Sequence, residues 1–175
     1  MFNKLDNPSD FWTHMRFHWR RGQGHRLRYA WNRVRWHLYP ELGLAGRYPD
    51  HVDIELSAAC NMKCPMCYTT TQRFKDEVPH TMFDFEVYKK IIDELAENGV
   101  YSIRLSWRGE PTIHPKFMDF VRYAHKKGIR EIDSLTNCLK LTPEMFAELV
   151  DMQMAWLTIS FDGTGATYEK IRAPA

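Results

Sequence analysis

Residues 60–68 read CNMKCPMCY and hold three of the four cysteines of this 175-residue chain, Cys60, Cys64 and Cys67. This spacing lets three thiolates from one short loop point at a common centre. Structural zinc takes four protein ligands and an ordinary iron–sulfur cubane takes four cysteines, so a triplet leaves one metal position open for an exogenous ligand. Four cysteines are too few for a disulfide scaffold, and their crowding indicates a metal site in a reducing compartment.

The cysteine loop follows the first of four β-rich runs that alternate with amphipathic helical patterns. The runs cover residues 51–57, 100–107, 129–136 and 155–161, with helices predicted over 83–98, from 115 to Gly128 and from Thr142 onward. This alternation predicts an α/β fold with a parallel sheet of four strand–helix units. A sheet of four strands with one bare edge invites pairing with other chains, so we expect the sequence to be part of a longer protein.

Polar residues and a glycine follow the later strands as the cysteines follow the first. Gly109 and Glu110 come after the second run, Asn137 directly follows the third, and Ser160 lies near the end of the fourth. The carboxyl ends of parallel strands converge on one face, where ligands bind in such folds. The sequence therefore predicts one site that gathers all four segments.

Four motifs, in this order, resemble those of the radical S-adenosylmethionine (radical SAM) superfamily. The cysteine loop resembles its CxxxCxxC motif, residues 108–111 (RGEP) resemble its Gly-Gly-Glu-Pro segment, and residues 136–137 (TN) resemble its Thr-Asn-Gly segment. Residues 160–163 (SFDG), with 168–172 following, resemble the fourth-strand segment of the branch whose members often carry a C-terminal SPASM domain. The resemblance covers about residues 50–175 and implies the first four units of a partial parallel (β/α) barrel of the radical SAM type.

The resemblance also implies a reaction and its cofactors. Cys60, Cys64 and Cys67 would ligate a [4Fe-4S] cluster, and the open iron would chelate S-adenosylmethionine. Reductive cleavage would give methionine and a 5′-deoxyadenosyl radical that abstracts hydrogen from a substrate, with an electron donor such as flavodoxin or ferredoxin. The substrate class stays open among peptides, proteins, nucleic acids, sugars and metabolites.

Cofactor-binding roles follow from the same resemblance. Glu110 would accept from the methionine ammonium, and Ser160 with Arg172 would hold the methionine carboxylate. Gly109 would allow the backbone to approach the ligand, and Asn137 would offer a donor and an acceptor to polar cofactor groups.

The chain departs from the family pattern at three positions. Met66 stands where an aromatic residue is frequent, Arg108 replaces a glycine, and Cys138 replaces the glycine after Asn137. Cys138 could in principle complete a four-sulfur set, because it lies at the end of the third strand. Asp162 is expected only to turn the chain.

Charge divides the sequence near residue 50. Residues 1–50 hold nine Lys or Arg and four Asp or Glu, a charge of +5, whereas residues 51–175 hold fifteen and eighteen, a charge of −3. We therefore expect a basic, aromatic-rich helical extension over 1–50 and a radical SAM core, apparently truncated, over 51–175. Leu27, Trp31, Val34 and Leu38 fall on one helical face, which could dock on the barrel or a partner, or touch a membrane or nucleic acid.

The chain has no apolar stretch of about 18 residues, which predicts a cytoplasmic protein without a transmembrane segment. A rival interpretation is a non-catalytic metal-binding interaction module, with His80 or His114 completing a zinc site and the basic helix docking on RNA, a membrane or a protein.

Overall fold

The computed structural model describes residues 8–22 and 24–172, with side chains described from residue 12. Contacts within the chain divide it into two compact units, one that ends at Asp50 and one that begins at His51. No helix in the described ranges is long and apolar enough to cross a membrane.

The N-terminal unit is a pair of helices, α1 (Pro8–Arg21) and α2 (Arg26–Glu41). A hydrogen bond joins the His18 ring to the Tyr29 hydroxyl, and Tyr29 is buried. Asn32 is also buried and donates to the backbone carbonyl of Asp50, which ties α2 to the end of the unit. The helix predicted from the Leu27 stripe therefore forms, although its buried face is a different one.

The C-terminal unit is built on a four-stranded parallel sheet in the order β1-β2-β3-β4. The strands are β1 (His51–Asp53), β2 (Ser102–Arg104), β3 (Glu131–Thr136) and β4 (Trp156–Ile159). The predicted α/β fold with four parallel strands is confirmed, and over the described residues the sheet stays open. The strands are shorter than the β-rich runs: the first, second and fourth runs lose residues at their end, and the second and third lose their first two residues.

The described part of this unit contains five α-helices. They are α3 (Gln72–Glu77), α4 (Phe85–Glu97), α5 (Phe117–Lys126), α6 (Pro143–Asp151) and α7 (Gly165–Ile171). Asp84 caps α4 by accepting from the Val87 amide, and Thr142 caps α6 by accepting from the Met145 amide. Short polar side chains at these positions satisfy amides that have no partner inside the helix, which explains why the helices begin there.

The core lies between the sheet and helices α4 and α5. Tyr88 and Phe120 are fully buried, their rings meet edge to face at 4.5 Å, and the Tyr88 hydroxyl donates to the Phe120 carbonyl at 2.9 Å. The predicted apolar face of α5 is buried throughout. On α6 only Leu149 is buried, and Phe146 and Val150 are exposed. The sheet is therefore best covered at β2 and β3.

Candidate active site

The cysteine loop begins where residues 56–58 pair with residues 81–83. The Leu56 carbonyl accepts from the Phe83 amide at 2.9 Å, and Ser57 forms an antiparallel bridge with Met82. The loop then turns on itself through a 3.0 Å bond from the Cys67 amide to the Cys64 carbonyl. All three cysteines are free thiols, with Cys64 only 5% exposed.

The three thiols share a small region with the Glu110 carboxylate. Burial raises the pKa of Cys60, a backbone hydrogen bond at Met62 lowers it, and the charges of Glu110, Cys64 and Cys67 raise it further. No three His, Cys, Asp or Glu side chains of the described residues lie close enough together to hold one metal ion. Three thiols in one loop are the donor type that an iron–sulfur cluster takes. The described residues give the single-ion zinc interpretation no support.

Glu110 lies at the centre of the carboxyl ends of the strands and is 3% exposed. Its Oε1 accepts from the Thr112 amide at 3.1 Å and from the hydroxyls of Thr112 and Thr136 at 2.6 Å each. Its Oε2 accepts from the Asn137 amide at 2.7 Å. A buried carboxylate needs such partners, and these four fix its orientation while leaving acceptor capacity on Oε2.

Asn137 connects the end of β3 to the cysteine loop. Its Nδ2 donates to Asn61 Oδ1 at 2.7 Å and approaches Cys60 Sγ at 3.9 Å, while its Oδ1 accepts from the Leu139 amide at 3.0 Å. The Asn137 side chain therefore positions Cys60 through contacts within the protein. Asn61 was not singled out from the sequence, since an asparagine between two cysteines carries no signal of its own.

Gly109 packs against the backbone that leads into the cysteine loop. A Cβ at this position would lie 2.2 Å from the Ser57 carbonyl oxygen and 2.3 Å from that of Ala59. The next amide, of Glu110, donates to the Ala59 carbonyl at 2.8 Å. The close approach predicted for Gly109 is therefore present, but it is made to the protein backbone.

Ser160 and Arg172 reach the site from β4 and from the end of α7. The Ser160 amide donates to the Thr136 carbonyl at 2.8 Å, and Arg172 Nε donates to the Asp162 carboxylate. Burial lowers the pKa of Arg172, but hydrogen bonds with Asp162 and with the Cys64 thiol raise it above its usual range. Asp162 was predicted only to turn the chain, and its ion pair with Arg172 was not predicted.

Cys138 adopts a left-handed backbone conformation, with φ of 70°. Its amide donates to Thr136 Oγ1 at 3.0 Å, which fixes the turn after β3. Burial raises the pKa of the Cys138 thiol, and the Glu110 charge raises it further. The backbone conformation is one that glycine adopts without cost, which explains a glycine at this place in the family motif.

We expect Cys138→Gly to stabilise the protein by about 0.5 kcal/mol. Relief of the left-handed strain is worth about 1–2 kcal/mol, and the added freedom of glycine in the unfolded chain offsets part of it. The measurement is the free energy of unfolding in urea. Cys138→Ala keeps a Cβ and is the control, which we expect to gain nothing.

His80 and His114, the two histidines of the zinc interpretation, do not take part in the contacts described above. His114 is buried, its Nε2 hydrogen-bonds the Phe83 carbonyl at 3.1 Å, and its Nδ1 accepts from the Lys116 amide at 3.0 Å. Both ring nitrogens serve the fold. His80 is exposed.

A family model described as the radical SAM superfamily matches residues 54–175, about 70% of the chain, which includes all the segments above. The chain belongs to the radical SAM superfamily. The four motifs thus identified the family correctly, and the family's cofactors are a [4Fe-4S] cluster and S-adenosylmethionine.

Curated relatives match the chain over part of their own length. A tungsten-containing aldehyde ferredoxin oxidoreductase cofactor-modifying protein of Pyrococcus furiosus is 34% identical over 110 residues, which are 62% of this chain and 30% of that protein. A PqqA peptide cyclase of Rhodopseudomonas palustris is 31% identical over 119 residues, 68% of this chain and 30% of the other. The matched part thus spans just under a third of these relatives.

Solved structures share the fold. The crystal structure of BtrN in complex with AdoMet and 2-DOIA superposes with a TM-score of 0.59 at 18% identity, covering 73% of this chain and 52% of that one. Native anSMEcpe with bound AdoMet superposes with a TM-score of 0.56 at 17% identity, covering 71% and 35%. The partial barrel predicted from the sequence is thus the fold these neighbours share with this chain.

Proposed function

We propose that residues 51–175 form the cofactor-binding core of a radical SAM enzyme, in which Cys60, Cys64 and Cys67 hold the cluster. When bound, the cluster and S-adenosylmethionine supply an electron and a 5′-deoxyadenosyl radical that takes hydrogen from the substrate. The observation that carries this proposal is the meeting of three free thiols with the buried Glu110 carboxylate at the carboxyl ends of the strands.

Neighbouring residues contact Cys60 and Cys64. Cys64 is buried, which limits the access of water and oxidants to its sulfur. Asn137 Nδ2 lies 3.9 Å from Cys60 Sγ, and the Arg172 guanidinium hydrogen-bonds the Cys64 thiol. These contacts support the proposal that the cysteines are positioned to bind iron.

Glu110 and Arg172 have the charges that the amino-acid end of S-adenosylmethionine requires. Thr112 and Thr136 hold Glu110 Oε1, so Oε2 is the oxygen that would accept from the methionine ammonium. The Asp162 carboxylate accepts a hydrogen bond from Arg172 Nε. The terminal nitrogens of the guanidinium could then donate to the methionine carboxylate of S-adenosylmethionine. We propose that Ser160 binds the same carboxylate. Gly109 and Asn137 would determine the shape and polarity of the cofactor site.

Substrate and partners belong to the whole protein and are proposed only by class. The relatives' names include a peptide cyclase, and a structural neighbour is bound to 2-DOIA, so the names do not point to one substrate class. We propose a flavodoxin or ferredoxin as electron donor and a cytoplasmic setting, which suits four free thiols. The helical unit up to residue 50 is proposed as a separate domain.

The proposal is tested with the chain reconstituted anaerobically with iron and sulfide. We expect about four irons per chain and, after reduction with dithionite, release of 5′-deoxyadenosine from S-adenosylmethionine. Protein that takes up one zinc ion in place of iron, and that cleaves no S-adenosylmethionine, would instead support the metal-binding interaction module.

A further inference from the structure

The apolar stripe of α2 is exposed. Leu27, Trp31, Val34 and Leu38 follow one another at intervals of four, three and four residues and so lie on one face of the helix. Leu27 is 88% exposed, Trp31 59%, and the other two are also exposed. The buried residues of α2, Tyr29 and Asn32, lie on another face, so the stripe does not hold the two-helix unit together.

Helix α1 presents a stripe of the same kind. Trp12, Met15 and Trp19 are spaced by three and four residues, and all three are exposed. Both helices of this compact unit therefore expose to solvent an apolar face that contains tryptophan. Large exposed apolar surfaces of this kind mark interaction sites.

Arginines border both stripes. At 100° per residue, Arg28 and Arg35 lie on one side of the α2 stripe and Arg26 and Arg33 on the other. Residues 12–50 contain eight arginines and only two acidic residues, Glu41 and Asp50.

These cations are disposed around the apolar faces. Asp50 is paired with Arg35, and the Arg26 guanidinium stacks 3.5 Å from the Trp19 ring centre. On α1, Arg16 and Arg20 are exposed beside the tryptophans. The surface around each stripe is therefore strongly positive.

We propose that this two-helix unit lies on an anionic phospholipid surface, with the two stripes in the acyl boundary and the arginines among the headgroups. Leu27, Val34 and Leu38 need an apolar phase, which RNA does not offer. Tryptophan and arginine side chains suit the interface itself, where a ring or stem is buried and its polar end stays wet. The positive rows on either side of the apolar face complement negatively charged headgroups.

The stripe is tested by sedimenting the full-length chain with vesicles of equimolar phosphatidylcholine and phosphatidylserine. We expect binding to these vesicles, little binding to phosphatidylcholine alone, and a loss of roughly tenfold or more for the Leu27→Gln/Trp31→Gln double variant. Val150→Gln removes an apolar side chain of α6 that is as exposed as Trp31, and is the control, which we expect to bind as the wild type does. Failure to bind the anionic vesicles, or equal loss in the control, overturns the proposal.

The charges are tested separately. Arg28→Gln and Arg20→Gln are each expected to weaken binding roughly fivefold, and added salt should weaken it further. Arg73→Gln, on exposed α3, is the matched control and should bind normally. A single-stranded RNA oligonucleotide is the competitor, and RNA binding without vesicle binding would overturn the proposal in favour of a nucleic-acid surface. Because the test measures binding without cluster or S-adenosylmethionine, its failure is distinct from failure of the proposed enzymatic function.

Discussion

Cys64→Ala is expected to abolish cluster assembly, reducing iron from about four atoms per reconstituted chain to less than one. Three thiolates are the fewest that leave a single iron open, so the loss of one leaves the cluster with two protein ligands. Cys64 is the most buried of the three, and no other cysteine of the loop can reach its place without unfolding the turn that joins residues 64 and 67. Release of 5′-deoxyadenosine should fall to background together with the iron.

The measurements are iron content, the visible absorption of the reduced and oxidised protein, and the yield of 5′-deoxyadenosine. Cys138→Ala is the matched control, because Cys138 also lies near Glu110 but outside the loop, and we expect it to retain both iron and cleavage. Iron retained in Cys64→Ala but lost in Cys138→Ala would show that the fourth cysteine is the ligand, and would contradict the three-cysteine assignment.

Gly109→Ala is expected to destabilise the protein by about 3 kcal/mol or more, a cost at the upper end for overpacking. The new Cβ would lie 2.2 Å and 2.3 Å from two carbonyl oxygens, of Ser57 and Ala59. Backbone atoms cannot turn aside as a flexible side chain can, so the segment that leads into the cysteine loop must move. The free energy of unfolding in urea measures this cost, and S-adenosylmethionine binding should weaken in whatever protein remains folded.

Gly99→Ala separates crowding from backbone conformation. Gly99 ends α4 with φ of +71° and has open space where a Cβ would lie, so its cost is the left-handed strain alone, about 1–2 kcal/mol. Gly109→Ala should exceed it clearly. Equal costs for the two variants would show that the backbone around residues 57–59 relaxes and that Gly109 is not required by packing.

The location of the site could be predicted because it depends on order along the chain. Once four strands alternate with helices, the residues that follow each strand must come together, and Glu110 and Asn137 do so. Contacts between loops could not be predicted in this way. Asn61 and Asp162 acquire partners 76 and 10 residues away only when the loops are folded, and neither residue type is restricted to such a role.

Local patterns also failed where an element is short or lies at an edge. Helix α3 has six residues and a Thr71 cap, too short for an apolar period to show. The stripe of Leu27 is strongly periodic, but periodicity gives the face of a helix and does not say what covers it. The strands were predicted too long because the residues that leave the sheet at 105–107 are as β-rich as those within it.

Glu110 gives the site one more property. Its carboxylate is bound by side chains and amides from the turn after β2 and from the end of β3, so the site that would receive a cofactor is assembled by the same contacts that join these two segments. A substitution of Glu110 would therefore weaken both folding and ligand recognition, and a mutation cannot change one of these without the other. Descendants of this chain that lost their chemistry would be expected to keep the acid for as long as they kept the fold.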